Sequence, residues 1–195
     1  MHEHGRRAPL RGAFGSRLNV EAALRLGMTH MMLSGCTILP LVDEDRPEVY
    51  ALIGAIYQEY GMTLVLEDEA EQHLLNPSEY FRGNGGEFWV VRDMDAHLVA
   101  TAAVHLDPSH PETAELKSLY VAKANRRSGV GRTLTTLAMR YAKSHGRTKF
   151  ILWSDTRLTA AHGLYESMGF TRCDERDIVD SNNSHEYGFE IALTD

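Results

Sequence analysis

The chain has 195 residues, of which 43% are hydrophobic and 8% aromatic, and this suffices for one globular domain with a sizeable core. Its formal net charge of −7 lacks the basic excess that matches nucleic-acid phosphates, so we expect no nucleic-acid partner. No apolar run approaches the ~20 residues of a membrane span, and the 2 cysteines form neither a disulfide framework nor a metal-ligand pattern. We therefore expect a cytoplasmic protein with no metal and no membrane partner.

The first 33 residues differ in composition from the rest of the chain. Arginine outnumbers the acidic residues there, and early glycines interrupt any periodic pattern. We expect a poorly ordered extension over 1–33, followed by one domain over 34–195. A transit peptide would have a similar arginine-rich composition.

From residue 37 onward the pattern becomes regular. A strand at 37–42, with Pro40 suited to a sheet edge, precedes a helix with Pro47 in its first turn. A shorter helix follows over roughly 69–80, broken near Asn76 and Pro77. The first helix can be capped by one of three acidic residues, Asp43, Glu44 or Asp45. Further strands are predicted at 87–92, 97–105, 114–121, 150–153, 170–179 and 186–193, with hairpin turns after the first two of these. Two further helices are predicted over 134–146 and 158–169. This order predicts an α/β fold with a mixed sheet of six to seven strands and helices on both faces.

The segment 119–134 predicts an anion site. A strand leads through a short loop into a long amphipathic helix, whose first N–H groups have no partner within the helix. Gly129 and Gly131 allow the backbone to approach a ligand closely, and a pyrophosphate fits such a site. Positive charge comes from three arginines, Arg126, Arg127 and Arg132. The segment lacks the Gly-Lys-Ser/Thr of a Walker A loop, and Leu134 stands where a dinucleotide fingerprint needs its third glycine.

The same segment resembles the coenzyme A signature of the GNAT superfamily of N-acetyltransferases. That signature, Gln/Arg-x-x-Gly-x-Gly/Ala, is matched at 126–131, and Leu-Tyr-Glu-Ser-Met-Gly-Phe at 164–170 is similar to the family's Leu-Tyr-x-x-x-Gly-Phe. The resemblance covers roughly 37–193 and implies a GNAT-like, mostly antiparallel sheet. It implies transfer of an acetyl group from acetyl-CoA to an amine of a small molecule or a protein, by direct attack in a ternary complex. The alternative is a non-catalytic acyl-CoA-binding regulatory domain.

The resemblance also implies where acetyl-CoA, the cosubstrate, binds. Amides of 127–131 would hold the pyrophosphate, and the splayed end of the central strand would bind the pantetheine arm. The thioester would lie between that strand and the strand at 150–153, with an N–H of Tyr120 or Val121 polarising its carbonyl. The implied binding residues are Leu119, Tyr120, Val121, Arg126, Arg127, Ser128, Gly129, Val130, Gly131 and Arg132. A homodimer through a strand edge is a further expectation from the family.

Acetyl transfer to an amine requires two proton movements. A primary amine with a pKa of about 10.4 must lose a proton before it attacks, and the departing thiolate benefits from a proton donor. The resemblance places Tyr165 near the coenzyme sulfur as the donor, although Tyr165 also fits a core position. Glu115, on the central strand, resembles the base glutamate of the histone-acetylating branch, and its alternative role is an ion pair with Lys117. His105 is a lesser base candidate.

Other polar residues have weaker assignments. Asp155, Thr156 and Arg157 follow the fifth strand, where the family often builds its acceptor pocket, but we expect Asp155 or Thr156 to cap the next helix. We expect His162 to have a packing or hydrogen-bonding role and Cys173 to carry no acetyl group. Acceptor-side residues should come from the helices over 45–80 and from the turn at 180–186.

Overall fold

The computed structural model describes residues 31–33 and 35–193, so most of the predicted extension over 1–33 lies outside the described residues. The described residues form eight strands, β1 (Met31–Leu33), β2 (Cys36–Pro40), β3 (Glu87–Arg92), β4 (Leu98–His105), β5 (Thr113–Val121), β6 (Lys149–Asp155), β7 (Thr171–Asp177) and β8 (His185–Ala192). They also form four α-helices, α1 (Arg46–Glu59), α2 (Pro77–Arg82), α3 (Val130–Ser144) and α4 (Thr159–Ser167), and short 3₁₀ helices at Asp43–Asp45, Glu69–Leu74 and Lys123–Asn125.

The eight strands lie in one sheet in the order β1-β2-β3-β4-β5-β6-β8-β7. Every neighbouring pair is antiparallel except β5 and β6, which run parallel. The predicted mixed, mostly antiparallel sheet is confirmed, and each of the seven predicted strands is present. The three-residue β1 is an addition that pairs with Cys36–Ile38 of β2. Pro40 lies beyond that pairing, so its missing N–H costs no hydrogen bond, as expected for a local edge.

Alternating side chains divide β3 between two hydrophobic cores on opposite faces of the sheet. Phe88 and Val90 pack with residues of α1 and α2, whereas Trp89 and Val91 belong to the core that includes α3 and α4. Each fully buried side chain of this size contributes about 1.5–3 kcal/mol relative to exposure. Helices therefore cover both faces, as predicted. Within the described residues, no helix combines the length and apolar character needed to cross a membrane.

The structure confirms one predicted helix feature and corrects another. The break predicted near Asn76 and Pro77 is present, because Pro77 lacks the N–H that would continue a helix and instead begins α2. The residues before it form the 3₁₀ helix Glu69–Leu74. At the start of α1, Asp45 occupies the capping position, but its carboxylate accepts the Val42 N–H at 2.9 Å instead of capping α1.

β5 and β6 separate towards their carboxyl ends, and this opens the sheet. Their parallel pairing begins at Thr113 and Lys149 and ends at Leu116 and Leu152, although both strands continue. Beyond that point Ser118 has a φ of +51°, and the register between β4 and β5 shifts as in a β-bulge. Beyond Leu116, the backbone groups of β5 therefore have no pairing partner in β6.

Candidate active site

The loop between β5 and α3 presents backbone N–H groups at the start of a helix. Gly129 precedes α3 with a φ of +89°, a left-handed conformation that glycine adopts without steric cost. The Thr133 N–H donates to the Gly129 carbonyl at 3.0 Å, so the amides before Thr133 have no helical acceptor. The helix dipole adds partial positive charge at the same place. This arrangement suits an anion with several oxygens, such as a pyrophosphate.

The three arginines of this loop have different roles. Arg126 donates from Nε to the Val121 carbonyl at 2.9 Å and forms a two-point ion pair with Glu59. Its guanidinium therefore braces the loop against β5 and α1. The side chains of Arg127 and Arg132 are exposed beside the helix start, so they carry the positive charge that a bound phosphate would meet.

Two other predicted binding residues use their side chains within the fold. The Ser128 hydroxyl donates to the Asn125 carbonyl at 2.6 Å, which closes the turn before α3. Val130 is 2% exposed and belongs to the core beneath α3. Both residues therefore offer only their main-chain groups to a ligand.

A cleft of about 480 Å³, the outer cleft, extends from this loop between β5 and α4. Leu119, Tyr120 and Val121 of β5 line one side, and Leu164 of α4 lines the other. Gly131 allows a close approach at the loop end, because a Cβ there would lie 3.3 Å from Leu164 Cδ2. Pockets that bury small ligands and cofactors have about this volume. The predicted binding segments thus surround one cleft that fits the pantetheine arm of coenzyme A.

A second cavity of about 150 Å³, the inner pocket, adjoins the outer cleft. Leu119, Tyr120 and Leu158 line both cavities and form their common wall. A reactive group at this wall is accessible from either side. The inner pocket is lined by five carboxylates, Glu71, Glu115, Asp155, Asp180 and Glu186.

The separation of β5 from β6 brings together residues from opposite faces of the sheet. Tyr165 belongs to the core on the α3 and α4 side, whereas Tyr57 and Tyr120 pack on the α1 side. All three line the inner pocket. A continuous sheet would keep these side chains apart, so the gap between the two strands creates the site.

Tyr165 is 5% exposed and packs against Phe170 and Phe189. Burial raises the pKa of its phenol, and no hydrogen bond from a described residue contributes to that shift. The hydroxyl therefore keeps its proton at neutral pH and is available to donate it. The structure places Tyr165 both in the core and in the wall of the inner pocket.

Glu115 and Lys117 both line the inner pocket, and Lys117 Nζ lies 3.1 Å from Glu115 Oε1. The ion pair offered as the alternative role of Glu115 is thus confirmed, while its role as a base stays a prediction. His105 lies opposite Glu115 in the sheet and stacks on Tyr80 with ring centroids 5.1 Å apart. Burial lowers the pKa of His105, which lies outside the lining of both cavities.

Asp155 is buried and lines the inner pocket. Its carboxylate accepts from Arg157 Nε at 2.8 Å, from Arg157 Nη2 at 2.7 Å and from the Arg157 main-chain N–H at 2.8 Å. Desolvation opposes ionisation of Asp155, but these hydrogen bonds lower its pKa. The N-terminus of α4 has Leu158 at the capping position and no side-chain cap, so the predicted cap by Asp155 or Thr156 is wrong. The local bond to Arg157 takes the place of the cap.

His162 and Cys173 line neither cavity. His162 packs near Tyr187 and Phe189, and its Nε2 lies 3.1 Å from the Asp155 carbonyl, which confirms a packing and hydrogen-bonding role. Cys173 is exposed on β7, where partial desolvation and neighbouring Glu190 raise the pKa of its thiol.

The sequence predicted the segments that complete the inner pocket but not the residues. From the region 45–80 the structure brings Tyr57, Glu71 and His73 into the lining, and from the turn after β7 it brings Asp180 and Ser184. Glu71 lies in a polar, weakly periodic segment, and that pattern predicts a surface residue. Its place in the pocket depends on how the Glu69–Leu74 helix packs on β5, which no local signal records.

An open mixed sheet with an anion-binding helix start beside the gap between two parallel strands is the architecture of a coenzyme A-dependent acyltransferase. A family model described as the acetyltransferase (GNAT) family matches residues 47–170, and the chain belongs to that family. It is accordingly an acetyl-CoA-dependent N-acetyltransferase, as the sequence predicted.

Named relatives agree with this assignment. The chain is 27% identical over 136 residues to the uncharacterized N-acetyltransferase YjgM of Escherichia coli, which covers 67% of this chain and 79% of that protein. It is 34% identical over 94 residues to the probable N-acetyltransferase Rv2775 of Mycobacterium tuberculosis, covering 48% of this chain and 51% of the relative.

Solved structures share the fold. An acetyltransferase of the GNAT family from Staphylococcus aureus superposes with a TM-score of 0.70 at 17% identity, over 82% of this chain and 99% of that chain. Spermidine N-acetyltransferase from Vibrio cholerae, in complex with CoA and spermine, superposes with a TM-score of 0.63 at 19% identity, over 83% and 97% of the two chains. At these identities the likeness establishes the fold alone.

Proposed function

We propose that this chain acetylates an amine by direct attack in a ternary complex, with Tyr165 as the proton donor and Glu115 as the proton acceptor. The observation that carries this proposal is the common wall of Leu119, Tyr120 and Leu158. A thioester at that wall would be held from the outer cleft and attacked from the inner pocket. Reactants held in such contact gain a large rate advantage over free collision.

Main-chain groups do most of the coenzyme binding in this proposal. The amides of 127–131 hold the pyrophosphate at the start of α3, with charge support from Arg127 and Arg132. Main-chain groups of 119–121, at the part of β5 that no longer pairs with β6, bind the pantetheine arm. Acetyl-CoA, when bound, supplies the activated acetyl group.

Glu115 removes one proton from the acceptor ammonium, which frees the nitrogen lone pair. As the new C–N bond forms and the C–S bond breaks, the N–H of Tyr120 or Val121 stabilises negative charge on the carbonyl oxygen, typically worth ~3 kcal/mol. The Tyr165 hydroxyl protonates the departing sulfur, and the second amine proton restores the phenol. One proton is released for each amide formed.

The test measures thiol release and acetylated product over a panel of amines, together with acetyl-CoA binding by calorimetry. We expect wild type to bind acetyl-CoA and to acetylate at least one amine, and Glu115→Gln to lose about 10²-fold or more in kcat with unchanged acetyl-CoA affinity. The matched variant Glu112→Gln changes an exposed glutamate just before β5 and should retain full turnover. Binding without turnover on every amine would instead support a regulatory acyl-CoA-binding domain.

The homodimer expected from the family stays a prediction. β7 is an edge strand with free main-chain groups on its outer side, and its side chains are exposed and mostly charged. Charged edges oppose strand pairing, so a dimer through β7 would need complementary ion pairs. Sedimentation equilibrium distinguishes the 21.9 kDa monomer from twice that mass.

A further inference from the structure

The inner pocket contains two carboxylates, Glu71 and Asp180, that form no ion pair with a described residue. Within the described residues, four of its five carboxylates have a cation or a turn hydroxyl as partner, namely Glu115 with Lys117, Asp155 with Arg157, Glu186 with Arg176 and Asp180 with Ser184. Glu71 differs, because its hydrogen-bond partner is the Tyr57 hydroxyl, which donates to Oε1 at 2.5 Å. Glu71 accepts one hydrogen bond from the described residues, whereas Asp180 accepts three, so part of the Glu71 carboxylate is left to bind a ligand.

Glu71 is held in a fixed position by its neighbours. The Tyr57 and Tyr120 hydroxyls lie 3.0 Å apart, and because Tyr57 donates its proton to Glu71, Tyr120 donates to Tyr57. Two residues further on, His73 Nδ1 bonds the Ala70 carbonyl, and His73 Nε2 lies 2.9 Å from the Ser118 hydroxyl at the β5 bulge. These contacts fix the Glu69–Leu74 helix on β5, so the carboxylate is preorganised for a ligand.

The charges around Glu71 favour a cationic ligand. Burial raises the pKa of Glu71, and Glu186 and Asp180 raise it further, while the Tyr57 hydrogen bond and Lys117 oppose the shift. A cation bound at Glu71 would offset the cost of burial, as a partner charge does for any desolvated carboxylate. A neutral ligand would leave that cost in place.

Two segments that contribute to the lining of the inner pocket are bonded to each other. The Asn182 side chain exchanges hydrogen bonds with the Thr63 main chain, N–H to Oδ1 at 2.8 Å and Nδ2 to O at 2.9 Å. Asp68 accepts from the Ser181 N–H at 2.9 Å and from its hydroxyl at 3.0 Å. The turn after β7 is thus joined to the linker after α1, and both contribute pocket lining.

The volume of the inner pocket limits the size of the acceptor. A cavity of about 150 Å³ is half the lower limit of roughly 300 Å³ for drug-sized ligands, and one of this volume accommodates a molecule the size of benzene. A short aliphatic chain fits this volume, whereas a polypeptide segment exceeds it.

From this geometry we infer that the acceptor is a small aliphatic amine that enters as its ammonium ion and binds Glu71. The inference rests on the proposed function, in which Glu115 then takes the proton. It names a substrate class: alkylamines are protonated near neutral pH, whereas arylamines are neutral and would gain nothing from the carboxylate. Glu71 is thus the residue that selects the acceptor.

The experiment compares wild type, Glu71→Gln and Glu69→Gln on three acceptors, an alkylamine such as butylamine, the arylamine aniline and a lysine-containing peptide. We expect wild type to prefer the alkylamine, and Glu71→Gln to raise its KM about 10- to 100-fold with a much smaller change in kcat. Glu69→Gln removes the same charge from an exposed position of the same segment and should match wild type. Acetyl-CoA affinity should be equal in all three proteins.

Three results would overturn the inference while leaving acetyl transfer intact: an unchanged alkylamine KM in Glu71→Gln, equal preference for aniline, or efficient acetylation of the peptide by wild type. Failure of wild type to acetylate any amine would defeat the proposed function and the inference together. If Glu71→Gln does not fold, Tyr57→Phe keeps the carboxylate and removes its orienting hydroxyl. That variant should raise the alkylamine KM by a smaller factor, and an unchanged KM would count against the inference.

Discussion

Arg126 and Glu59 form a two-point ion pair, with Nη1 to Oε2 at 2.9 Å and Nη2 to Oε1 at 3.0 Å. The pair joins the coenzyme loop to the last residue of α1, while Arg126 Nε bonds the end of β5. Three elements thus meet at one guanidinium, whose planar fork matches a carboxylate in two-point contact. Arg126, the first residue of the signature, therefore has a structural role that requires no contact with phosphate.

We expect Glu59→Gln to raise the KM for acetyl-CoA by about two- to fivefold, with kcat nearly unchanged. The pair is partly exposed, so its loss should cost about 0.2–1 kcal/mol, and the loop would hold its amides less firmly. Steady-state kinetics checks this, with exposed Glu44→Gln as the control. A lower KM in Glu59→Gln would mean that the released Arg126 binds phosphate directly.

Tyr165→Phe should lower kcat about 10²-fold and leave acetyl-CoA affinity unchanged. The substitution removes only the hydroxyl, for which no described residue supplies a hydrogen bond, so the free energy of unfolding should hardly change. Because burial raises the pKa of this phenol, the pH profile of wild type should show no loss of the donor below about pH 10.

Tyr141→Phe is the matched control for that substitution. It removes a hydroxyl that donates to the Gly85 carbonyl at 3.0 Å, on a face of α3 outside both cavities. We expect full turnover and a small loss of stability from this variant. Equal turnover in Tyr165→Phe and Tyr141→Phe would refute the donor role.

Gly129→Ala should weaken acetyl-CoA binding through the backbone rather than through a clash. A Cβ at Gly129 meets nothing within 4 Å, but its φ of +89° costs an L-residue roughly 1–2 kcal/mol. Relief of that strain would move the amides at the start of α3. Calorimetry with coenzyme A and urea unfolding measure the two effects.

Gly54→Ala provides the opposite control for Gly129→Ala. Gly54 lies inside α1 and does not have a positive φ, and a methyl group added there would meet nothing within 4 Å. Alanine there should stabilise the fold by about 0.5–1 kcal/mol without altering coenzyme affinity. Retained affinity in Gly129→Ala would show that the left-handed turn does not position the phosphate-binding amides.

Asp155→Asn should lower stability in a pH-dependent way. The folded-state pKa of Asp155 is lowered, so its contribution is fully present above the unfolded pKa of about 3.9 and is lost as the pH falls through the folded value. We expect a deficit of about 1–3 kcal/mol near neutral pH, from the lost hydrogen bonds to Arg157. Denaturant titrations should show this deficit shrinking below about pH 4.

The exposed residue Asp95 supplies the control for that measurement. Asp95→Asn should change the free energy of unfolding by no more than about 0.5 kcal/mol at either pH. A deficit for Asp155→Asn that persisted unchanged in acid would mean that packing, rather than charge, dominates at this position.

Local patterns predicted the geometry of the junction between β5 and α3 well. The placement of Gly129 and Gly131 between a strand and an amphipathic helix is a statement about neighbouring residues, and the structure forms that junction with the expected left-handed glycine. The acceptor side was predicted only as segments. Glu71 shares the pocket with Glu115, 44 positions away, because the Glu69–Leu74 helix packs on the β5 bulge through His73 and Ser118.

At two positions, the contact seen in the structure differs from the one that the local sequence predicts. Asp155 has the residue type and position of a helix cap, yet its oxygens bind Arg157, which the turn places two residues on. Arg126 has the charge of a phosphate ligand, yet α1 presents Glu59 to it. In each case a partner from another element, or from an unexpected turn, offers a stronger hydrogen bond than the one that local sequence suggests.

The sequence by itself determined the family, the order of strands and helices along the chain, and the glycine-containing loop before α3, because periodicity, glycine placement and helix ends act over a few neighbouring residues. Only the tertiary structure decided the acceptor side. There the divergence of β5 from β6 joins Tyr165 on one face of the sheet to Tyr57 and Glu71 on the other. Contacts between residues so distant along the chain depend on packing geometry, which no short stretch of sequence encodes.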